Sequence, residues 1–164
     1  MKKNYRAIYL IFILGLVYNC AGYKPIFSTS SLNFKIEEYK IEGDKATANK
    51  IYTLVKRNEN YESTESQPVG INFLINTSKT NIATVKDKTG KTKQYKVTLK
   101  AKVKATEYLS ENILLDETFE ASINYGVQDN YSNTILIENK SIEDLTEIIF
   151  QNIFRKLTIK ISSK

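Results

Sequence analysis

Residues 95–105 read Tyr-Lys-Val-Thr-Leu-Lys-Ala-Lys-Val-Lys-Ala. Every odd position is apolar and every even one is Lys or Thr, the period-2 pattern of a strand that buries one face. The same parity holds upstream at Ile71, Phe73, Ile75, Ala83 and Val85, and downstream at Leu115, Phe119, Ala121, Ile123 and Tyr125. Asp87 to Thr92 (DKTGKT) reads as a hairpin turn, with Gly90 free to take positive φ. A second tight connection lies near Leu109 to Asn112. Pairing Val85 with Tyr95 and Ala105 with Leu115 keeps every odd residue on one face. The pattern therefore predicts an antiparallel three-strand meander.

Outward from this meander, Leu32 to Ile36 alternates and predicts a first strand continuing to about Ile41. Gly43-Asp44 breaks it, and Asp44 is a good N-cap. From Lys45 to about Asn58, Ala48, Ile51, Leu54 and Val55 fall on one helical face; residues 59–68 are a polar loop. After the meander, residues 126–140 read as a polar loop around the apolar patch Ile135 to Ile137. Ser141 to about Lys160 then reads as a helix, with Ser141 and Asp144 resembling a capping box. Ile142, Leu145, Ile149, Ile153 and Leu157 line one face, and Ile148, Phe150 and Phe154 widen it. The expected fold class is α+β: two helices packed on one face of a four-stranded mixed β-sheet, in the order β-α-β-β-β-α.

The chain begins differently. Lys2, Lys3 and Arg6 precede eleven apolar residues, Ala7 to Val17. That run is too short to span a bilayer, which takes about 20 residues, and it suits a signal-peptide core. It ends at Val17-Tyr18-Asn19-Cys20, a Cys placed as in a bacterial lipoprotein signal, with Val17 three before it. The expected organisation is a signal peptide over 1–19, a lipidated tether over 20–31 with Cys20 acylated, and one domain over 32–164. Several acyl chains make such an anchor effectively permanent.

Composition narrows the chemistry. The 164 residues include no His, no Trp and one Cys. That removes imidazole bases, Ser-His and Cys-His dyads, intramolecular disulfides and Cys-rich zinc sites. No enzyme activity, cofactor or metal is expected. Gly90-Lys91-Thr92 resembles the end of a phosphate-binding loop, but Val85 stands where its first Gly belongs and a strand follows. Glu117 breaks the inward pattern of its strand and reads as a strand-start residue. Nucleic-acid binding is not expected, because Tyr95 points inward and the basic stretch has no stacking platform.

Charge is segregated. From Lys79 to Lys104 there are nine Lys and one acid; from Glu107 to Glu147 there are ten acids and one Lys. In the proposed register Lys104 faces Asp116 and Lys100 faces Glu120, which is ordinary surface pairing. Lys86, Lys88, Lys91 and Lys93 at the hairpin tip, with Lys96 and Lys102 opposite Asn124 and Thr118, are left over. They suit phosphates.

The string Cys20-Ala21-Gly22-Tyr23-Lys24-Pro25-Ile26-Phe27 resembles the mature start of LPS-assembly lipoproteins, the LptE family. Gly22, Tyr23, Pro25, Ile26 and Phe27 fill its pattern, with Ala21 inserted after the Cys. The element order is also similar to that family's. The resemblance implies an outer-membrane, periplasm-facing lipoprotein that plugs an LptD-type β-barrel, helps it fold and binds lipopolysaccharide on its way to the outer leaflet. The expected partners are that barrel, lipopolysaccharide and the membrane. Lys88, Lys91, Lys93 and Lys96 are the candidates for lipid A phosphates, placed by charge and not by the family's motif. The other reading is a different periplasm-facing lipoprotein, such as an auxiliary subunit of a lipid transporter or an envelope scaffold.

Overall fold

The computed structural model describes residues 33–59 and 68–163. The expected signal peptide, Cys20, the tether with Gly22, Tyr23, Pro25, Ile26 and Phe27, and most of the polar loop after the first helix lie outside the described residues. Phe34–Gly43 forms β1, Lys45–Arg57 α1, Val69–Lys86 β2, Thr92–Glu107 β3, Ile113–Gly126 β4 and Tyr131–Ser162 α2. The sheet order is β1-β2-β3-β4. β1 runs parallel to β2, and β2, β3 and β4 form the antiparallel meander. This is the α+β, two-helix, four-strand mixed sheet that the periodicities predict.

The alternation in β3 does what period 2 requires. Val97, Leu99, Ala101, Val103 and Ala105 are fully buried, while Lys96, Lys100, Lys102 and Lys104 are exposed. The buried side joins Ile71, Phe73 and Ile75 of β2 with Ile51 and Val55 of α1 and Leu145, Ile149, Ile153 and Leu157 of α2 in one core. Small residues on β3 sit opposite large ones. Ala101 pairs with Phe119, and Ala105 lies between Phe73 and Leu115.

β1 turns into α1 at a corner tied to β2. Gly43 has φ +76°. Asp44 N donates to Thr77 O at 2.9 Å, and Thr77 Oγ1 donates to Asp44 O at 2.8 Å. Asp44 Oδ1 then accepts from Ala46 N and Thr47 N, capping the helix as its position predicts. A register shift between Ile36 and Glu38 moves β1 from even to odd parity, so Tyr39 and Ile41 pair with Phe73 and Ile75. Tyr39 stacks on Tyr52 of α1 at 4.2 Å between ring centroids.

Five expectations are corrected. Val85 pairs with Gln94, not Tyr95, because the ladder slips between Ala83 and Val85; Tyr95 pairs with Ala83. The expected pair of Ala105 with Leu115 forms. The polar loop over 126–140 is helix from Tyr131 onward, and its cap is Asn130, whose Oδ1 accepts from Ser132 N at 2.8 Å. Ser141 is not a cap but a buried residue inside α2, and Asp144 pairs with Lys140 at 3.0 Å. Thr134, Ser141, Leu145 and Ile149 continue one stripe at helical spacing, but hydroxyls in the first two positions disguise it. Ile148 lies off that stripe and is exposed. Finally, Glu117 is in the middle of β4, where Lys156 of α2 meets it at 3.2 Å. The odd position is inward, and a helix lysine answers it.

Candidate anion site at the hairpin

β2 and β3 extend past the rest of the sheet. β4 ends at Gly126 opposite Gln94 and Val127 N donates to Lys93 O at 2.9 Å, so residues 86–92 project beyond the last neighbouring chain. The turn is fixed by its own acid. Asp87 Oδ1 accepts from Thr89 N, Thr89 Oγ1 and Lys91 N, and Asp87 N donates to Lys91 O at 2.9 Å. The Thr89 hydroxyl, more than any other group, holds the Asp87 carboxyl below its ordinary value. Gly90 takes φ +86° with open space where a Cβ would sit.

The Asp87 carboxylate keeps its charge, which Lys93 helps to hold, but its Oδ1 is bound to the turn's own donors and no lysine makes an ion pair with it among the described residues. Lys86, Lys88, Lys91, Lys93 and Lys96 are all exposed, and none makes an ion pair among the described residues. Lys88 and Lys91 lie in the turn itself and Lys93 at the start of β3. Lys96 is set back on the outer sheet face, between Ile82 and Asn124. Lys88, Lys91 and Lys93 thus form one tip, with Lys96 a step behind it. The surface pairing expected lower on the sheet is half realised. Lys100 meets Glu120 at 3.0 Å, worth about 0.2–1 kcal/mol at this exposure. Lys104 is opposite Asp116 without an ion pair.

Two apolar residues at the hairpin escaped the sequence reading. Ile82 is 62% exposed and Val85 47%. Parity assigned Val85 to the core, but the slip at Thr84 and the projection of the hairpin leave it in solvent. Comparing the length of β2 with the start of α2 gives the signal, and that needs the helix boundary. The projecting end therefore presents ammonium groups beside exposed aliphatic side chains. Chemically, that surface suits an amphiphile carrying phosphates.

Below the tip, Tyr95 and Tyr125 stack at 5.7 Å, and Asn81 Nδ2 donates to the Tyr125 hydroxyl and, at 3.3 Å, to Glu138. Burial pushes the Tyr125 phenol above its ordinary value, against the pull of the Asn81 hydrogen bond. A raised pKa in the fold gives stability that is present below the unfolded tyrosine value and is lost as pH rises through the folded one. Alkaline absorbance titration of the folded protein and of the Tyr125→Phe variant should differ by a phenol that ionises later than it does in urea. Superimposable folded and unfolded curves would refute this.

Among the described residues no cluster of three or more carboxylate, Cys or His side chains is arranged to hold a metal. No described helix is long and apolar enough to cross a membrane.

No protein-family model and no curated protein matches the sequence. Solved structures do. Lipoprotein B of Nitrosomonas europaea, an uncharacterized protein, aligns over 82% of this chain and 88% of its own with a TM-score of 0.56 and 11% identity. A protein from Caulobacter crescentus CB15 assigned as a lipoprotein aligns over 78% and 90% with a TM-score of 0.54 and 9% identity. Rare lipoprotein B of Shewanella oneidensis aligns over 77% and 95% with a TM-score of 0.47 and 13% identity. The first two share this chain's fold.

Proposed function

We propose that this chain is a lipid-anchored envelope protein of the LPS-assembly type, a non-enzymatic partner of an LptD-type outer-membrane barrel that contacts lipopolysaccharide. The observation that carries the reading is the basic hairpin, where Lys88, Lys91, Lys93 and Lys96 make no ion pair among the described residues, Ile82 is exposed opposite Lys96 and Val85 is exposed nearer the tip. Lipid A offers phosphates next to acyl chains, the complement of that surface. Two further features support it: the Cys20-Ala21-Gly22-Tyr23-Lys24-Pro25-Ile26-Phe27 string, and a fold shared with lipoproteins. In this reading Cys20 carries the acyl anchor, the domain faces the periplasm on the outer membrane, and its hairpin end enters the barrel lumen.

The test is affinity purification of the C-terminally tagged chain from detergent-solubilised membranes, with co-purifying proteins identified by mass and lipopolysaccharide assayed in the eluate. A near-stoichiometric barrel and bound lipopolysaccharide are expected. Charged hydrogen bonds are worth about 1.5–3 kcal/mol each. Replacing Lys88, Lys91 and Lys93 together by Glu should therefore cut recovered lipopolysaccharide about tenfold or more. Undiminished lipopolysaccharide in the triple variant would remove the hairpin from the reading. Recovery of the chain alone, or with an inner-membrane transporter, would sink the plug and favour the transporter-auxiliary role.

A further inference from the structure

The end of the sheet opposite the basic hairpin carries its own unassigned surface. β3 and β4 are joined there by Tyr108 to Asn112. Leu109 is 92% exposed, Ile113 61% and Tyr108 43%. Scattered exposed apolar side chains are ordinary; three within six residues of one turn are a patch. The turn is rigidly held. Tyr108 N donates to Gly70 O at 2.8 Å, Glu107 N donates to Asn112 O at 2.9 Å, and a Cβ on Gly70 would lie 3.2 Å from Tyr108 Cβ. Glu111 sits in the left-handed region at φ 57°. Leu109 is thereby presented at the tip of a fixed loop.

The position of the turn identifies what it meets. Val69 N donates to Asn33 O at 2.9 Å, so the chain enters the domain beside the β3–β4 turn. Thirteen residue steps separate Asn33 from Cys20. Fully extended they reach at most about 45 Å. The hairpin tip lies at the far end of β2, whose 18 residues extend about 60 Å. If Cys20 is acylated, as the proposed function has it, a tether of that length lets the turn reach the anchoring leaflet. A short tether holds a weak second contact at millimolar effective concentration, so a few apolar side chains suffice.

Charge selects the kind of surface. Glu107 and Glu111 flank Leu109 with no cation in residues 107–113, against Lys104 and the Glu42-paired Lys40 in the hollow that Glu111 and Ile113 line, so the turn is on balance acidic. An anionic headgroup layer would be repelled, whereas a zwitterionic one with ammonium groups at its surface would not. We infer that the β3–β4 turn is a second membrane contact, with Leu109, Ile113 and Tyr108 entering the interface of a bilayer rich in zwitterionic lipid. The two ends of the sheet thus divide the work, one gripping anions and the other resting on the bilayer.

The chain lacks Trp, so Leu109→Trp is a single reporter at a site exposed enough to accept it, and Ile113→Trp is a second. The full-length protein, purified from membranes, is reconstituted into phosphatidylcholine–phosphatidylethanolamine vesicles with brominated acyl chains. Emission should shift to the blue and fall at least about twofold against unbrominated vesicles. Val85→Trp at the far hairpin should be unchanged. Both near-end reporters unquenched would overturn the inference. A blue shift that grows with protein concentration, without quenching, would assign the patch to a second copy and also overturn it. The intact mass reads acylation separately. An acylated chain with unquenched reporters loses the contact and keeps the anchor. An unacylated chain that is still quenched keeps the contact and loses the anchor. An unacylated chain that leaves the vesicles loses both.

Discussion

Phe73→Ala should lower the unfolding free energy by about 3–5 kcal/mol. Phe73 is 1% exposed in the first third of β2, with Tyr39 of β1 on one side and Ala105 of β3 on the other. Its ring fills the space that the small side chain of Ala105 leaves open. Removing it loses the transfer energy of the ring and leaves a cavity that neighbouring strands cannot close, because both are fixed by their ladders. A domain of this size has about 5–15 kcal/mol in total, so the variant would sit near its unfolding threshold. Urea denaturation checks it. The midpoint should fall while the slope stays the same, and Phe73→Leu should recover most of the loss. A decrease below about 1 kcal/mol would mean that the ring is not packed as the burial implies.

That residue was legible in the sequence because alternation survives wherever a strand has one dry face and one wet one. The same logic placed Val97, Leu99 and Ala101, and the register in which Lys100 meets Glu120. It failed where the two faces stop differing. At Val85 the hairpin has outrun its cover, so an apolar side chain no longer marks a buried one. At Ser141 and Thr134 the reverse occurs, since buried hydroxyls can be satisfied locally. Thr134 Oγ1 accepts from Gln128 N at 2.9 Å, which closes the loop onto the first turn of α2. Periodicity in hydrophobic residues does not register such positions. Glu117 was misplaced for a third reason. Its partner, Lys156, is 39 residues away, and no local rule pairs them.

The candidate site divides the same way. The lysine content of the hairpin and its turn were plain in the sequence. The sequence could not show that Asp87 spends its oxygens on its own turn. Counted by residue type, the tip holds an acid among its lysines. Counted by geometry, that acid's Oδ1 is bound within the turn, its charge offsets one lysine, and the tip keeps a net positive charge. The turn at the other end was legible as a tight connection near Leu109 to Asn112, but nothing in the sequence marked its apolar side chains as a site.

Gly43→Ala should cost more than about 3 kcal/mol, and Gly90→Ala only about 1–2 kcal/mol. Both glycines have positive φ, at +76° and +86°, so both substitutions pay the left-handed penalty of an L side chain. They differ in what surrounds them. Nothing lies within 4 Å of a Cβ on Gly90, whereas a Cβ on Gly43 would fall 2.0 Å from Thr77 O and 2.8 Å from Asn76 Oδ1. Thr77 O cannot withdraw without losing the hydrogen bond from Asp44 N, and Asp44 caps α1. The clash therefore spreads from one carbonyl to the parallel β1–β2 pair and the helix that connects them. Thermal or urea unfolding of the two variants side by side isolates the clash, since the conformational penalty is common to both. Equal losses would show that the corner yields, and that the tie between Asp44 and Thr77 does not hold α1 on the sheet.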